Sequence, residues 1–284
     1  MAPSRGESAY KPAPPHLACD VEAGNTPGST LTDDLTWGDV FKRQAYLLFA
    51  CVVFVLLMPS LLYERLASPS TRWYSAPNGT YPGDGDITYP LRDETVPTWA
   101  LGLLVGLAAA IIVAAELLQA PAFQQSQKHA ARTAVFLLIE FCIVQSITLA
   151  ATTWIKMTVG RPRPDFLARL STNDDRLLHQ GRLSYPSGHA STSFATATFW
   201  ALYFSWCFYQ RRRSGPRSAL IGWKADLVAF LQLLVVGVGP ALATLTAVSR
   251  VTDYRHNPSD INAGCILGLV CSAFLWMRTL AVIR

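Results

Sequence analysis

Six apolar segments, each about as long as a bilayer is thick, constrain this chain more than any other feature. They run about Gln44–Tyr63, Pro97–Gln119, Thr133–Ile155, Ala190–Tyr209, Leu227–Val248 and Ile261–Ile283. A helix needs about 20 mostly apolar residues to cross the hydrocarbon core. In lipid a spanning segment must satisfy its own backbone polar groups, which a helix does. The chain therefore reads as an all-α, polytopic membrane bundle of six transmembrane helices. Composition agrees: of 284 residues, 51% are hydrophobic and 15% charged, where soluble domains carry about 25% charged. In the second segment Gly102, Gly106 and Ala108 to Ala110 offer a face for close packing. Glu116 lies near a segment end, which favours interfacial exposure. Glu140 is more central, and a structural hydrogen bond to a neighbouring helix is expected of it.

Residues 1–36 are rich in Pro, Ser, Gly and Asp and lack periodicity. They read as a disordered tail, with no early apolar core that would mark a cleaved signal. Residues 37–284 form the membrane domain. The net charge of +5 is modest, and no basic stretch interleaved with aromatics indicates nucleic-acid binding. None of the six cysteines falls in a CxxC or Cys/His spacing, so neither zinc nor a disulfide framework is indicated.

Six crossings put both termini on one side. Lys42 and Arg43, Lys128 and Arg132, and the run Arg211, Arg212, Arg213, Arg217 and Lys224 share that side. The bias of Lys and Arg towards the cytosol makes it cytosolic. The opposite face carries the triplet Asn78-Gly79-Thr80, a glycosylation sequon that fits an extracellular or lumenal loop. The loop after the third span is also basic, so charge alone leaves a reversed topology open.

Three polar stretches fall on the face opposite the tail: Lys156 to Pro164, Tyr185 to His189 and Ser249 to Asp260. In the third, His256 and Asp260 are four apart, on one face if both are helical. Asn257 can cap and Pro258 suits the first turn of the sixth helix. A carboxylate there can hold one imidazole N–H and leave the other nitrogen free as a nucleophile. The plainer reading is a capping carboxylate beside an interfacial histidine. In the second, Ser187 can cap the fourth helix, and Gly188 lets an anion approach free N–H groups at the positive end of the dipole. His189 could then donate a proton to a leaving oxygen. The plainer reading is a turn and a cap. In the first, Pro162 and Pro164 stiffen the backbone around Lys156, Arg161 and Arg163, whose charges suit phosphate oxygens. Snorkelling cations at a membrane edge are the alternative for these and for Arg250. Asp165, Asp253 and Asp260 could be a metal set, but the surrounding cations oppose a divalent ion.

Taken together, the stretches resemble the type 2 phosphatidic acid phosphatase family, also called lipid phosphate phosphatases. The family pattern is Lys-x6-Arg-Pro, Pro-Ser-Gly-His and Ser-Arg-x5-His-x3-Asp. The chain has Lys156 with Arg163-Pro164, Pro186 to His189, and Ser249-Arg250 with His256 and Asp260. The segments Tyr89-Pro90 and Glu94 to Pro97 resemble the eukaryotic branch. The resemblance covers roughly Trp37 to the C-terminus. It implies an acid phosphatase/vanadium haloperoxidase-like core and hydrolysis of phosphatidate and related lipid phosphate monoesters without Mg²⁺ or another cofactor. His256 would attack phosphorus to form a phosphohistidine, and Asp260 would orient it. His189 would protonate the leaving alkoxide. Lys156, Arg163, Ser187, Gly188 and Arg250 would bind the phosphate.

The implied partners are a membrane lipid phosphate and the bilayer, with no nucleic acid; association of like chains is left open. The implied location is the plasma membrane or an endomembrane, with the tail cytosolic. The alternatives are a phosphatase for a polyprenyl diphosphate or a sugar phosphate, and a non-catalytic membrane protein that binds lipid phosphates.

Overall fold

The computed structural model describes residues 36–38, 40–42, 44–45, 87–123, 125–210 and 222–283. The tail before residue 36, most of the first predicted span, Asn78 and the cluster Arg211, Arg212, Arg213 and Arg217 lie outside the described residues. Among the described residues there is no strand. Among the described residues from Thr98 onward, seven α-helices follow in order: α1 Thr98–Gln119, α2 Gln127–Val159, α3 Phe166–Leu170, α4 Asp175–Gly181, α5 Gly188–Ser205, α6 Trp223–Thr252 and α7 Pro258–Ile283. Helices α1, α2, α6 and α7 are long and apolar enough to cross a membrane.

Helix α5 is different. Its 18 residues carry many Ser, Thr and Ala, and it packs against α1, α2, α6 and α7. It is the central post of the bundle. Small side chains allow this because they let neighbouring backbones approach. The tightest approach is to α7. A Cβ built on Gly264 would lie 2.6 Å from the Ser187 carbonyl oxygen, and one on Gly268 only 2.2 Å from that of Ser191. No residue with a side chain fits at either place without moving a helix. Gly102 and Gly106, by contrast, meet no atom within 4 Å among the described residues. The closest main-chain approach among the described residues is therefore on α7, while on the expected α1 face Ala108 is buried in the core. Aromatic rings fill the space below: Phe199 meets Phe141 and Trp276 edge-on, with centroids 5.4 and 5.2 Å apart.

Helix α2 stops where Gly160 adopts the left-handed conformation at φ 58° and donates its N–H to the Lys156 carbonyl. Glycine takes that conformation without the Cβ clash other residues meet. The chain then turns back over the bundle. The segment from Leu167 to Ser184, whose Asp, Asn and Arg content reads as solvated, is exposed over residues 171–176 and carries most of α3 and all of α4, where the sequence alone assigns no structure. Its Arg169 is fully buried, with Nε and Nη2 donating to the two Asp165 oxygens at 2.7 and 2.8 Å. Pairing at i,i+4 between the N-cap residue of α3 and its last turn offsets the cost of burying the charge alone.

Two carboxylates lie deep in the bundle, far from the polar stretches. Glu140 is fully buried and accepts hydrogen bonds from Gln44 Nε2 at 2.8 Å, from Arg278 and from Thr279 at 3.3 Å. Glu116 is also fully buried and accepts from the Tyr203 hydroxyl at 3.1 Å. This corrects the expectation of interfacial exposure. Glu116 falls near the end of α1, but the helix turns it onto α5 rather than outward.

Candidate active site

The three polar stretches meet at one end of the bundle, where α2 and α6 finish and α5 and α7 begin. Backbone bonds fix the meeting. The Ser187 N–H donates to the Asp260 carbonyl at 3.0 Å, and Ser184 N–H to that of Arg161 at 3.0 Å. Lys156 Nζ donates to the Leu183 carbonyl at 2.7 Å. The first stretch is thereby tied to the loop ahead of α5, and the second to α7.

Ser187 caps α5, its hydroxyl accepting from Ala190 N–H at 3.4 Å. A Cβ on Gly188 would stand 3.8 Å from Lys156 Cε, an ordinary contact. Packing alone does not demand glycine there. Its missing side chain leaves the first turn of α5 open to a ligand beside Lys156, where free N–H groups favour an anion. His189 follows. Burial and then the Arg250 guanidinium lower its pKa to about 4, against the pull of Glu94 and a hydrogen bond with the Val96 backbone. Its Nε2 is buried without a hydrogen-bond partner among the described residues.

Asp260 occupies the opening turn of α7 and is fully buried. Its Oδ2 accepts from Asn257 N–H at 3.0 Å and from the Ser184 hydroxyl at 2.6 Å. Its Oδ1 accepts from Arg161 at 2.8 Å. His256 Nδ1 stands 3.8 Å from Oδ2 and 3.5 Å from the Ser184 oxygen. The direct imidazole–carboxylate hydrogen bond expected from the spacing is therefore not closed. The reason is local: His256 precedes the helix, its N–H bonded to the Arg250 carbonyl at 3.2 Å, while capping draws Asp260 towards Asn257. Ser184 stands close to both. It was missed in the sequence because it lies in a loop that looked solvated and belongs to no motif. Burial holds the His256 pKa well below 6.5, reinforced by Arg163 and Lys156 and opposed by Asp260. The ring is neutral at pH 7.

Three arginines complete the wall. Arg250 is almost fully buried; its Nη2 donates to Asp253 at 2.6 Å, and its Nη1 lies 3.6 Å from Glu94. Arg255 donates to the Arg92 carbonyl at 2.6 Å. Burial, then Arg169, lowers the Arg163 pKa to about 10, which leaves it cationic at pH 7. The Nε atoms of Arg163, Arg250 and Arg255 are buried without hydrogen-bond partners among the described residues. Buried N–H donors of this kind are rare and costly unless a ligand completes them. The three aspartates considered for a metal each lie against an arginine: Asp165 with Arg169, Asp253 with Arg250 and Asp260 with Arg161. The cluster as a whole is a set of donors suited to an anion.

Beneath it lies an apolar groove of about 200 Å³ between α1, α5 and α6. Ser193 and Thr246 line its upper end, one turn below His189 and Arg250, and Trp200 and Leu104 line it further down.

Comparison with known proteins points the same way. Over 242 residues the chain is 28% identical to a PA-phosphatase related-family protein of Dictyostelium discoideum, covering 85% of this chain and 80% of that one. It is 32% identical over 209 residues to lipid phosphate phosphatase 2 of Arabidopsis thaliana, covering 68% and 65%. It is 36% identical over 146 residues to diacylglycerol pyrophosphate phosphatase 1 of Saccharomyces cerevisiae, covering 45% and 46%. No solved structure matches it. Residues 133–283, which hold all three polar stretches and the helices that carry them, match the PAP2 superfamily, and the chain belongs to that superfamily.

Proposed function

We propose that this membrane protein is a lipid phosphate phosphatase that hydrolyses phosphatidate and related lipid phosphate monoesters through a phosphohistidine intermediate, without Mg²⁺. The observation that carries the reading is the buried nitrogens without partners among the described residues, the Nε–H groups of Arg163 and Arg250 and the Nε2 of His189, beside a neutral His256. In the first step His256 Nε2 attacks phosphorus. The bond to the lipid oxygen breaks, and His189, protonated in the field of the bound dianion, gives that oxygen its proton. In the second step water attacks the phosphohistidine, and His189 takes the water's proton. Phosphate leaves and His256 returns to its neutral form.

Asp260, itself held by Arg161 and Ser184, faces the Nδ1 side of His256. Lys156, Arg163, Arg250, Ser187 and Gly188 hold phosphate oxygens. Charge held ready for the transition state is the largest source of rate in such a site. The apolar groove beneath supports a lipid over a sugar phosphate, because it offers hydrocarbon a place next to the headgroup.

The same reading places six spans in residues 37–284, with the site facing the lumen or exterior and residues 1–36 in the cytosol. It also relates the core to vanadate-dependent haloperoxidases, so orthovanadate should inhibit. Release of inorganic phosphate from a panel of lipid phosphates in detergent tests the proposal, with a polyprenyl diphosphate and a sugar phosphate included. Wild type should release phosphate from phosphatidate in excess EDTA, and His256→Ala should release none while remaining folded in the membrane. Turnover by His256→Ala, or turnover confined to the sugar phosphate, would refute it.

A further inference from the structure

An extended strap, residues 88–97, runs into α1 and lies across the mouth of the site. It is pinned at several points. Tyr89 N–H donates to the Pro164 carbonyl at 3.0 Å, and its ring stacks on Tyr254 with centroids 4.5 Å apart. Arg255 holds the Arg92 carbonyl. The N–H and hydroxyl of Thr95 donate to the two Asp253 oxygens at 2.8 and 2.6 Å. Between these pins sits Glu94. Its Oε2 lies 3.6 Å from Arg250 Nη1 and its Oε1 3.8 Å from Arg255 Nε. Neither contact closes to a hydrogen bond, and the side chain is 29% exposed. The carboxylate therefore faces two guanidinium groups while keeping a path to water.

We propose that Glu94 is the resident counter-anion of the phosphate cradle, neutralising Arg250 and Arg255 when the site is empty and opposing any phosphate that enters. The physical need is plain. Arg250 is 1% exposed, and a buried guanidinium without enough negative charge nearby is costly. Asp253 meets one edge of it, and Glu94 faces another edge while also approaching Arg255, whose other side lies 3.6 Å from Asp165. An arriving phosphate competes for the same donors and is repelled by the carboxylate at short range.

The penalty falls on the phosphate group of substrate and product alike. A lipid phosphate keeps the binding energy of its hydrocarbon; free phosphate has none, so it is the ligand left weakly held, and the site empties faster. The inference rests on the proposed phosphate site and adds to it a device for product release.

The test compares wild type, Glu94→Gln and Glu94→Asp as full chains in detergent. Two quantities are measured: inhibition of lipid phosphate hydrolysis by inorganic phosphate, and direct binding of orthovanadate. Glu94→Gln should bind both anions about tenfold more tightly, equal to about 1.4 kcal/mol, with kcat lowered as release slows. Glu94→Asp, which restores the charge, should return both towards wild type. A merely structural role would move affinity the other way, since a loosened strap weakens the cradle. Unchanged or weaker anion binding in Glu94→Gln overturns the proposal. If that variant does not fold, Glu94→Ser serves in its place. If wild type binds orthovanadate but cleaves no lipid phosphate, the enzymatic reading fails while the vanadate titration still decides the role of Glu94. If no form binds an anion, both fail.

Discussion

The two ends of the bundle both bury charge, and they do so in opposite ways. Glu140 lies roughly 24 Å along α2 from Lys156, by the rise of an α-helix. There a single carboxylate gathers Gln44, Arg278 and Thr279 around it. Its acceptors are engaged, and no ligand is needed to complete them. At the other end His189, Arg163, Arg250 and Arg255 each keep a buried nitrogen without a hydrogen-bond partner among the described residues. A buried carboxylate with both oxygens engaged fastens helices together, whereas unpartnered guanidinium N–H groups suit an anion that comes from outside.

Substitutions at the two ends should therefore separate activity from stability. The largest expected effect is at the donor-rich end. His189→Gln should lower kcat/KM about a thousandfold, within the range for loss of a general acid, with the thermal midpoint unchanged. A matching loss of stability would erase the distinction. Next comes the closed end. Arg278→Ala leaves buried Glu140 without its cation and should cost about 3 kcal/mol of stability, read by denaturation in detergent, while kcat per folded molecule is retained.

Ser184→Ala should lower kcat about tenfold with little change in KM, because the hydroxyl acts through the Nδ1 side of His256 rather than on substrate. An unchanged kcat would reduce Ser184 to a loop fastening.

The smallest effect sharpens the electrostatics. His189 is neutral in the empty site above about pH 4, and a bound dianion stabilises its charged form. Anion binding must then take up a proton at pH values between the free and bound pKa. Affinity for sulfate, whose own charge is constant across about pH 5 to 8, should weaken as pH rises, by at most about tenfold per unit. A flat profile would remove His189 from the cradle.

Much of this was legible in the chain itself, for physical reasons. Apolar length marks a spanning helix, so α1, α6 and α7 begin and end within a few residues of the expected bounds. Motif spacing pointed to Lys156, His189 and His256, and the folded chain brings their stretches to one end. What escaped was whatever depends on which face docks. The main-chain seam of Gly264 and Gly268 on α7 escaped, because which small residues dock depends on rotation about the helix. Glu116 looked exposed because position along a helix says nothing about rotation around it. Ser184 and Glu94 sit in irregular backbone, where no periodicity signals a neighbour, and only coordinates show what they approach.

The glycine seam carries a consequence for how such an enzyme lives in lipid. With Gly264 and Gly268 against the Ser187 and Ser191 carbonyls, main chain rests on main chain. The separation of His189 from His256 is then set by covalent dimensions, not by compressible side chains. A thicker leaflet or a change in lateral pressure would tilt α5 and α7 as one body. Such a catalyst should keep its reacting geometry as its host bilayer changes, and adapt to different lipids elsewhere, along the walls built by α1 and α6.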